Sequence, residues 1–365
     1  MAEPSSDAVF PYPPEYPLTY SQYIHFRGAP EKRLPFLPLD YGDVTIFAQS
    51  ELLKNRLLVD FERCPVERSG IMLGEYIVME DGLILIDRKG NPISINFPDA
   101  FLTAGRVFDA VNKREFWLRR QSVLEHWDAI PMIEDAAIFS HIYHNNYYHF
   151  TFEFMQNFRL LASYESSHII IPRKILSLKF QLDLIQRALG DRRVVFPDSP
   201  VRVKNPVITQ SWQSYESLRW IRQLMGIQVP SGGRRYFIRR SPAKSRNGNN
   251  IAETPRFKAF LDKWHFEAID FGNGEFSMEE QILKLSGAAV ILSPHGAGLT
   301  NLSYLNPPLT VIELFSRHVL SASFMQIAIA LGFKYYGFIS DTVDEIGSML
   351  PDVDQLETIM ERIGR

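Results

Sequence analysis

The sequence predicts an α/β protein: two consecutive halves of alternating strands and helices, with a β-rich region before them. Three observations lead there. From residue 133 onward, short apolar runs alternate with segments of helical period, the pattern of βαβ units around a parallel sheet. Before residue 130 the rhythm differs, and "EYIVMEDGLILIDRKGNPISI" sets an Asp-Gly turn between β-type runs, a hairpin signal. The chain has 365 residues, 45% hydrophobic and 13% aromatic, enough for two domains with sizeable cores.

Taken in order, residues 1–40 are rich in Pro and Tyr and carry little period, so an extended arm is expected. Residues 41–212 form the first domain, β-rich to about 130 and α/β beyond. There "AAIFSH" reads as a strand and "NYYHFTFEFMQNFRLLASYE" as a helix. "HIIIP" is a buried strand, "KILSLKFQLDLIQRALG" a helix closed by Gly190, and "RVVFP" a strand. Residues 213–345 form the second domain. The helix "YESLRWIRQLMG" precedes the strand "RRYFIRR", the helix "AETPRFKAFLDKW", the strand "FEAID", the helix "SMEEQILKLSG" and the strand "AAVILS". A Gly-rich turn and a helix follow, then "TVIELF", the helix "FMQIAIALG" and "KYYGFI". This is a Rossmann-like domain of about five strands. Residues 346–365 contain the closing helix "DVDQLETIMERIG". Two such halves imply a cleft between them, with ligand bound beyond the carboxyl ends of the strands.

The net charge is −3 and no long basic run occurs, which gives nucleic acid no broad surface to bind. Cys64 is the only cysteine, so neither an intramolecular disulfide nor a Cys-based metal site forms. The first twenty residues lack a basic segment followed by an apolar one, so no secretory leader is expected. No apolar run reaches the roughly 20 residues of a membrane span. A cytoplasmic protein is the expectation.

Three motifs carry chemistry. In "SPHGAGLTN" a strand gives way to a helix through small residues. A helix start exposes N–H groups and a positive dipole end. Gly296, Ala297 and Gly298 let an anion approach the backbone, and Thr300 and Asn301 add neutral donors. A phosphate or diphosphate is the natural guest; the competing reading is a tight turn with a buried His295. The second motif, "YFIRRSPAKSRNGNN", places Arg239, Arg240, Lys244 and Arg246 just after a strand, where arginine forks suit phosphate oxygens. A solvated basic loop is the bland alternative, weakened because both motifs should emerge at one sheet edge. The third segment holds His141, His144, His149 and Glu153. On a helix His149 and Glu153 share a face, and such a pair serves as a general base with its orienting partner. The histidine spacing matches no compact metal motif, so no metal is expected, and His141 and His144 read as local hydrogen-bonding or capping residues. Asp352-Val353-Asp354 mimics the Asp-x-Asp of metal-dependent sugar transferases but reads as helix capping.

Together "NYYHFTFEF", "YFIRRSPAKSRNGNN", "SPHGAGLTNLSYLNPP" and "VIELF" resemble glycosyltransferase family 61 over roughly residues 133–340. The resemblance implies a GT-B fold, two Rossmann-like domains flanking the active site, with a last helix crossing back to the first domain. It implies an inverting, metal-independent transferase without a cofactor. Its donor is a nucleotide sugar, usually a UDP-sugar, and its acceptor a polysaccharide or lipid-linked glycan in bacterial capsule or lipopolysaccharide assembly. Peripheral contact with the cytoplasmic face of the inner membrane would accompany a lipid-linked acceptor. By the same resemblance Glu153 is the base, with His149 beside it. Arg240 and Arg246 contact the diphosphate, with Asn250 a further donor contact. His295, Gly296, Ala297, Gly298, Leu299, Thr300 and Asn301 form the phosphate-side turn, and Glu313 sits near the ribose or base. The alternative is a non-catalytic nucleotide-binding protein of the same fold. An NAD-dependent enzyme is disfavoured by the missing GxGxxG.

Overall fold

The computed structural model describes residues 32–33, 44–48, 50–61, 66–79, 84–94, 114–141, 143–211, 213–227, 229–240, 250–272, 275–340, 342–344 and 348–363. Most of the expected N-terminal arm, the Asp-Gly turn at 81–82 and Arg246 lie outside them. What is described is a mixed α/β protein with three sheets.

The outer sheet is built on the expected hairpin. Glu75–Met79 runs antiparallel to Ile84–Asp87, with Met79 opposite Ile84. Pro92–Ser94, Val201–Lys204 and Met132–Ile133 complete it. Strand side chains alternate between faces, and this sheet uses both. Ile77, Met79, Ile84 and Ile86 pack under Phe116 and Val123 of the helix Arg114–Glu125. Val78, Leu85 and Val203 face the second sheet, meeting Ile138, Ile170 and Ile208.

That middle sheet follows the order Lys32–Arg33, Val66–Ile71, Val207–Ser211, Ala136–Ile138, His168–Ile170, Arg193–Val195. Its last four strands are parallel. Ala137, Ile169 and Ile171 of its other face enter the largest core. This core includes side chains of the helices Gln156–Leu161, Lys179–Leu189, Tyr215–Met225, Met278–Lys284 and Ser323–Ala330, and reaches Ile291, Val311 and Tyr335 of the third sheet. The two halves are therefore joined through a common helical layer.

The third sheet is parallel throughout: Phe266–Ile269, Arg234–Ile238, Ala288–Pro294, Thr310–Ser316, Lys334–Ser340 and Val44–Ala48. Two expectations are corrected here. Val44–Ala48, assigned by sequence to the first domain, is the sixth strand of this sheet and pairs Val44 with Tyr335. The last helix, Val353–Ile363, does not cross back. Its Val353, Leu356, Ile359 and Met360 pack on Phe257 and Phe260 of Pro255–Lys263. Glu357 accepts from Lys263 Nζ at 2.6 Å and Trp264 Nε1 at 2.8 Å. Asp352 caps this helix as expected, accepting from the amides of Asp354 and Gln355.

The connections of this sheet locate a topological switch point. From Arg234–Ile238 the chain crosses one face through Pro255–Lys263 to Phe266–Ile269. It returns across the opposite face through Met278–Lys284 to Ala288–Pro294, on the other flank of Arg234–Ile238. The strand order reverses there. In open α/β sheets the crevice at such a point, beyond the carboxyl ends, receives ligand. The residues leaving these two strands are Arg239–Arg240 and His295–Gly296.

Candidate active site

The helix expected from Asn146 onward forms with an interruption. Asn146 caps it, its side-chain oxygen accepting from the Tyr148 and His149 amides at 2.9 and 3.4 Å. After Tyr147–His149 the chain widens into a π-helical turn, Phe150–Phe154, before continuing as Gln156–Leu161. Such single π turns concentrate at functional sites. Phe150, Phe152 and Phe154 anchor it in the core, with the Phe150 and Phe154 rings stacked at 4.8 Å.

Glu153 lies on this turn, its side chain only 12% exposed. Its Oε2 receives His149 Nδ1 at 2.8 Å, so the expected pair is present. It also receives His141 Nε2 at 2.7 Å. His141 was expected to bond only locally, and this is a correction. It arrives from the loop after Ala136–Ile138, and no helical period links it to Glu153. His144 does bond locally, through Nδ1 to the His141 carbonyl. Burial alone would raise the Glu153 pKa. The nearby His149 charge and the bonds from both imidazoles outweigh it and hold the carboxyl down at about 2. Glu153 is thus a carboxylate at neutral pH.

The Gly-rich turn sits at the switch point, with a corrected internal logic. The helix after it, Ala297–Tyr304, is of the tight 3-10 type. His295 and residues 296–298 are partly exposed, but Leu299, Thr300 and Asn301 are fully buried. Asn301 is not an anion donor. Its Oδ1 accepts from Tyr147 at 2.9 Å, and its Nδ2 donates to Gly298 O and Gln281 Oε1. It joins the two motifs across the core. The glycines serve close packing: a Cβ on Gly298 would lie 3.0 Å from Ile238 Cγ2, and one on Gly296 3.4 Å from Arg240 Nη1. Arg240 Nη1 donates to the His295 carbonyl at 2.9 Å, bracing the turn. Burial lowers its pKa, yet a guanidinium stays charged.

Glu313 is corrected too. It is 0% exposed, so it cannot touch a ribose or base. Its Oε1 takes His295 Nδ1 at 2.6 Å and its Oε2 takes the Tyr335 hydroxyl at 2.6 Å. Burial first, then the Glu313 charge, pushes the Tyr335 hydroxyl well above the usual tyrosine range, so it remains a donor. Asn250 is held against Met349, whose amide donates to its carbonyl at 2.6 Å. That is the side of the sheet carrying the last helix.

The two clusters are neighbours. Residues 147–149 pack against 297–304, and Phe324 lies between the rings of Tyr148, at 5.4 Å, and His295, at 5.3 Å. Among the described residues no group of three or more His, Cys, Asp and Glu is arranged to hold a metal ion, and no helix is long and apolar enough to cross a membrane. No curated protein matches the chain. Residues 147–312 match the family model described as Glycosyltransferase 61. That span contains Tyr147–Glu153, Arg240 and the whole Gly-rich turn, and over it the chain is similar to glycosyltransferase family 61.

Proposed function

We propose that the protein is an inverting, metal-independent glycosyltransferase with a GT-B-like active site. It moves a sugar from a nucleoside diphosphate donor, a UDP-sugar, to a polysaccharide or lipid-linked glycan of the bacterial surface. It would work in the cytoplasm, with peripheral contact at the inner membrane. The match of residues 147–312 to the glycosyltransferase 61 family model supports glycosyl transfer. The observation that supports a transfer site is the packing of Tyr147–His149 on the turn braced by Arg240. It sets an imidazole–carboxylate pair beside an anion-favouring strand end.

Inversion takes one in-line displacement. The acceptor oxygen forms the bond to the anomeric carbon, and the bond to the phosphate oxygen breaks with its electron pair. The acceptor proton needs a base. Glu153 spends Oε2 on two imidazoles and sits at about 2, a weak proton acceptor at neutral pH. We therefore assign the proton to His149. Glu153 fixes that ring through Nδ1 and stabilises the imidazolium that forms. On the other side charge grows on the diphosphate, where Arg240, the turn and His295 are preorganised to meet it.

Thermal-shift measurements of the purified chain with UDP, GDP, CMP and NAD, without added metal, test the donor site. Selective stabilisation by UDP is expected, and stabilisation by NAD alone would overturn the reading. The double pairing of Glu153 also suits a nucleotide-binding protein without turnover. Transfer from labelled UDP-sugars to acceptor glycans separates the two.

A further inference from the structure

We propose that Glu313 and Tyr335 are positioning residues that hold His295 as a doubly protonated imidazolium, whose Nε2–H donates to the donor's diphosphate. This rests on the diphosphate reading above and deepens it. It replaces the expected ribose contact of Glu313 with a different duty.

The starting point is a carboxylate where the fold needs none. Glu313 lies in the central strand Thr310–Ser316, every residue of which is buried, between strands paired on both sides. An apolar side chain of similar volume would serve packing as well or better. The carboxylate is instead satisfied at both oxygens, one by His295 and one by Tyr335. The 2.6 Å contact between His295 Nδ1 and the carboxylate has the length of a charge-assisted hydrogen bond.

The ring has little freedom. Phe315 stacks on it with centroids 5.4 Å apart, and Phe324 lies 5.3 Å away. With Nδ1 bonded to Glu313, Nε2 is the ring nitrogen left to meet a ligand. A neutral ring donating through Nδ1 would present a lone pair there and repel an anion. The imidazolium presents a donor. The charged and titratable groups facing the ring region are Glu313 and Tyr335 behind it and Arg240 at its carbonyl. The helix Ser323–Ala330 has no titratable residue, and the Tyr147 hydroxyl is engaged by Asn301. When the sugar–phosphate bond breaks, its electron pair stays on a diphosphate oxygen. The Nε2–H hydrogen bond strengthens there without any covalent step on His295.

The test uses the full chain with ¹⁵N-labelled histidine and UDP as the probe. His295→Gln assigns the ring signals. At about pH 8, above the ordinary histidine range, the UDP complex should show both His295 nitrogens protonated. Glu313→Gln should lose that signature and bind UDP at least about tenfold more weakly, as for a lost charge-assisted bond. Tyr335→Phe should lose it at lower pH than wild type, with a smaller drop in affinity. If Glu313→Gln does not fold, the wild-type spectrum and Tyr335→Phe still decide. Tight UDP binding with a neutral ring overturns this proposal and leaves the donor site standing. So does Glu313→Gln with full affinity and a charged ring. Failure of UDP, GDP and CMP to bind at all overturns the donor-site reading, and this proposal with it.

Discussion

The molecule has two histidine–glutamate pairs, and Phe324 contacts His295 of one and Tyr148, next to His149 of the other. His149 and Glu153 are four residues apart on one helical turn, and their carboxylate, partly reachable by solvent, is shared with His141. His295 and Glu313 are eighteen residues apart on neighbouring strand ends, and their carboxylate is sealed and shared with a tyrosine. The same two side chains therefore suit different duties. A pair near the surface, with a second imidazole in contact, can give and take a proton during a turnover. A pair whose carboxylate meets no water holds its ring in one orientation. Under the proposed function, surroundings rather than residue identity would divide the two duties.

The largest effect that would break this division is on turnover. His149→Ala should lower kcat by about 10²–10⁴-fold, and Glu153→Gln, which admits the wrong ring tautomer, should come close to it. Both should bind UDP nearly as the wild type does. If either loses UDP affinity in calorimetry as donor-side variants do, the two pairs are one functional unit and the comparison fails. Arg240→Ala belongs to the other side, and should weaken UDP binding by more than about 1.5 kcal/mol. Unchanged affinity would leave the turn without its anion.

His141 sharpens the comparison at smaller amplitude. Glu153 has a folded pKa of about 2 against an ordinary 4.5. Its stabilisation is complete above about 4.5 and is lost as pH falls toward 2. His141→Ala removes one group that lowers this pKa, so the folded value should rise toward the ordinary one. The melting temperature should then fall less steeply with acid than in the wild type over that window. Equal slopes would show that His141 does not bias the carboxylate. The smallest expected effect is that of EDTA, which should leave the transfer rate nearly unchanged. A collapse of activity, restored by a divalent cation, would place a metal on the donor side.

Local chemistry was legible in the sequence. Alternating periods gave the parallel sheet, the helical period of the segment from Asn146 gave its helix, and the spacing of His149 and Glu153 gave their contact. What failed was whatever depends on a partner distant in sequence. His141 meets Glu153 across a loop. Thr300 and Asn301 look like first-turn donors until Tyr147 is known to pack over them, drawing Asn301 inward. Glu313 was read as near the ligand. A strand pattern tells which residues alternate, but here both faces are covered, and alternation carries no sign of which side meets a nucleotide. The glycines were read as letting a phosphate approach; the structure adds that a Cβ on either would also crowd Arg240 or Ile238.

The edge strand Val44–Ala48 has a consequence for how the protein comes into being. It pairs with Lys334–Ser340, so the third sheet is complete only after synthesis has passed residue 340. Until then residues 44–48 have no partner in that sheet, and once Lys334–Ser340 emerges its outer edge is an open template for pairing with another chain. Contacts of such sequence separation are slow to close, and large proteins are prone to aggregate while they wait. A fragment beginning at residue 213 would keep that edge permanently open. Its yield of monomer, with and without a peptide of residues 44–48 added in trans, would measure what the distant strand protects.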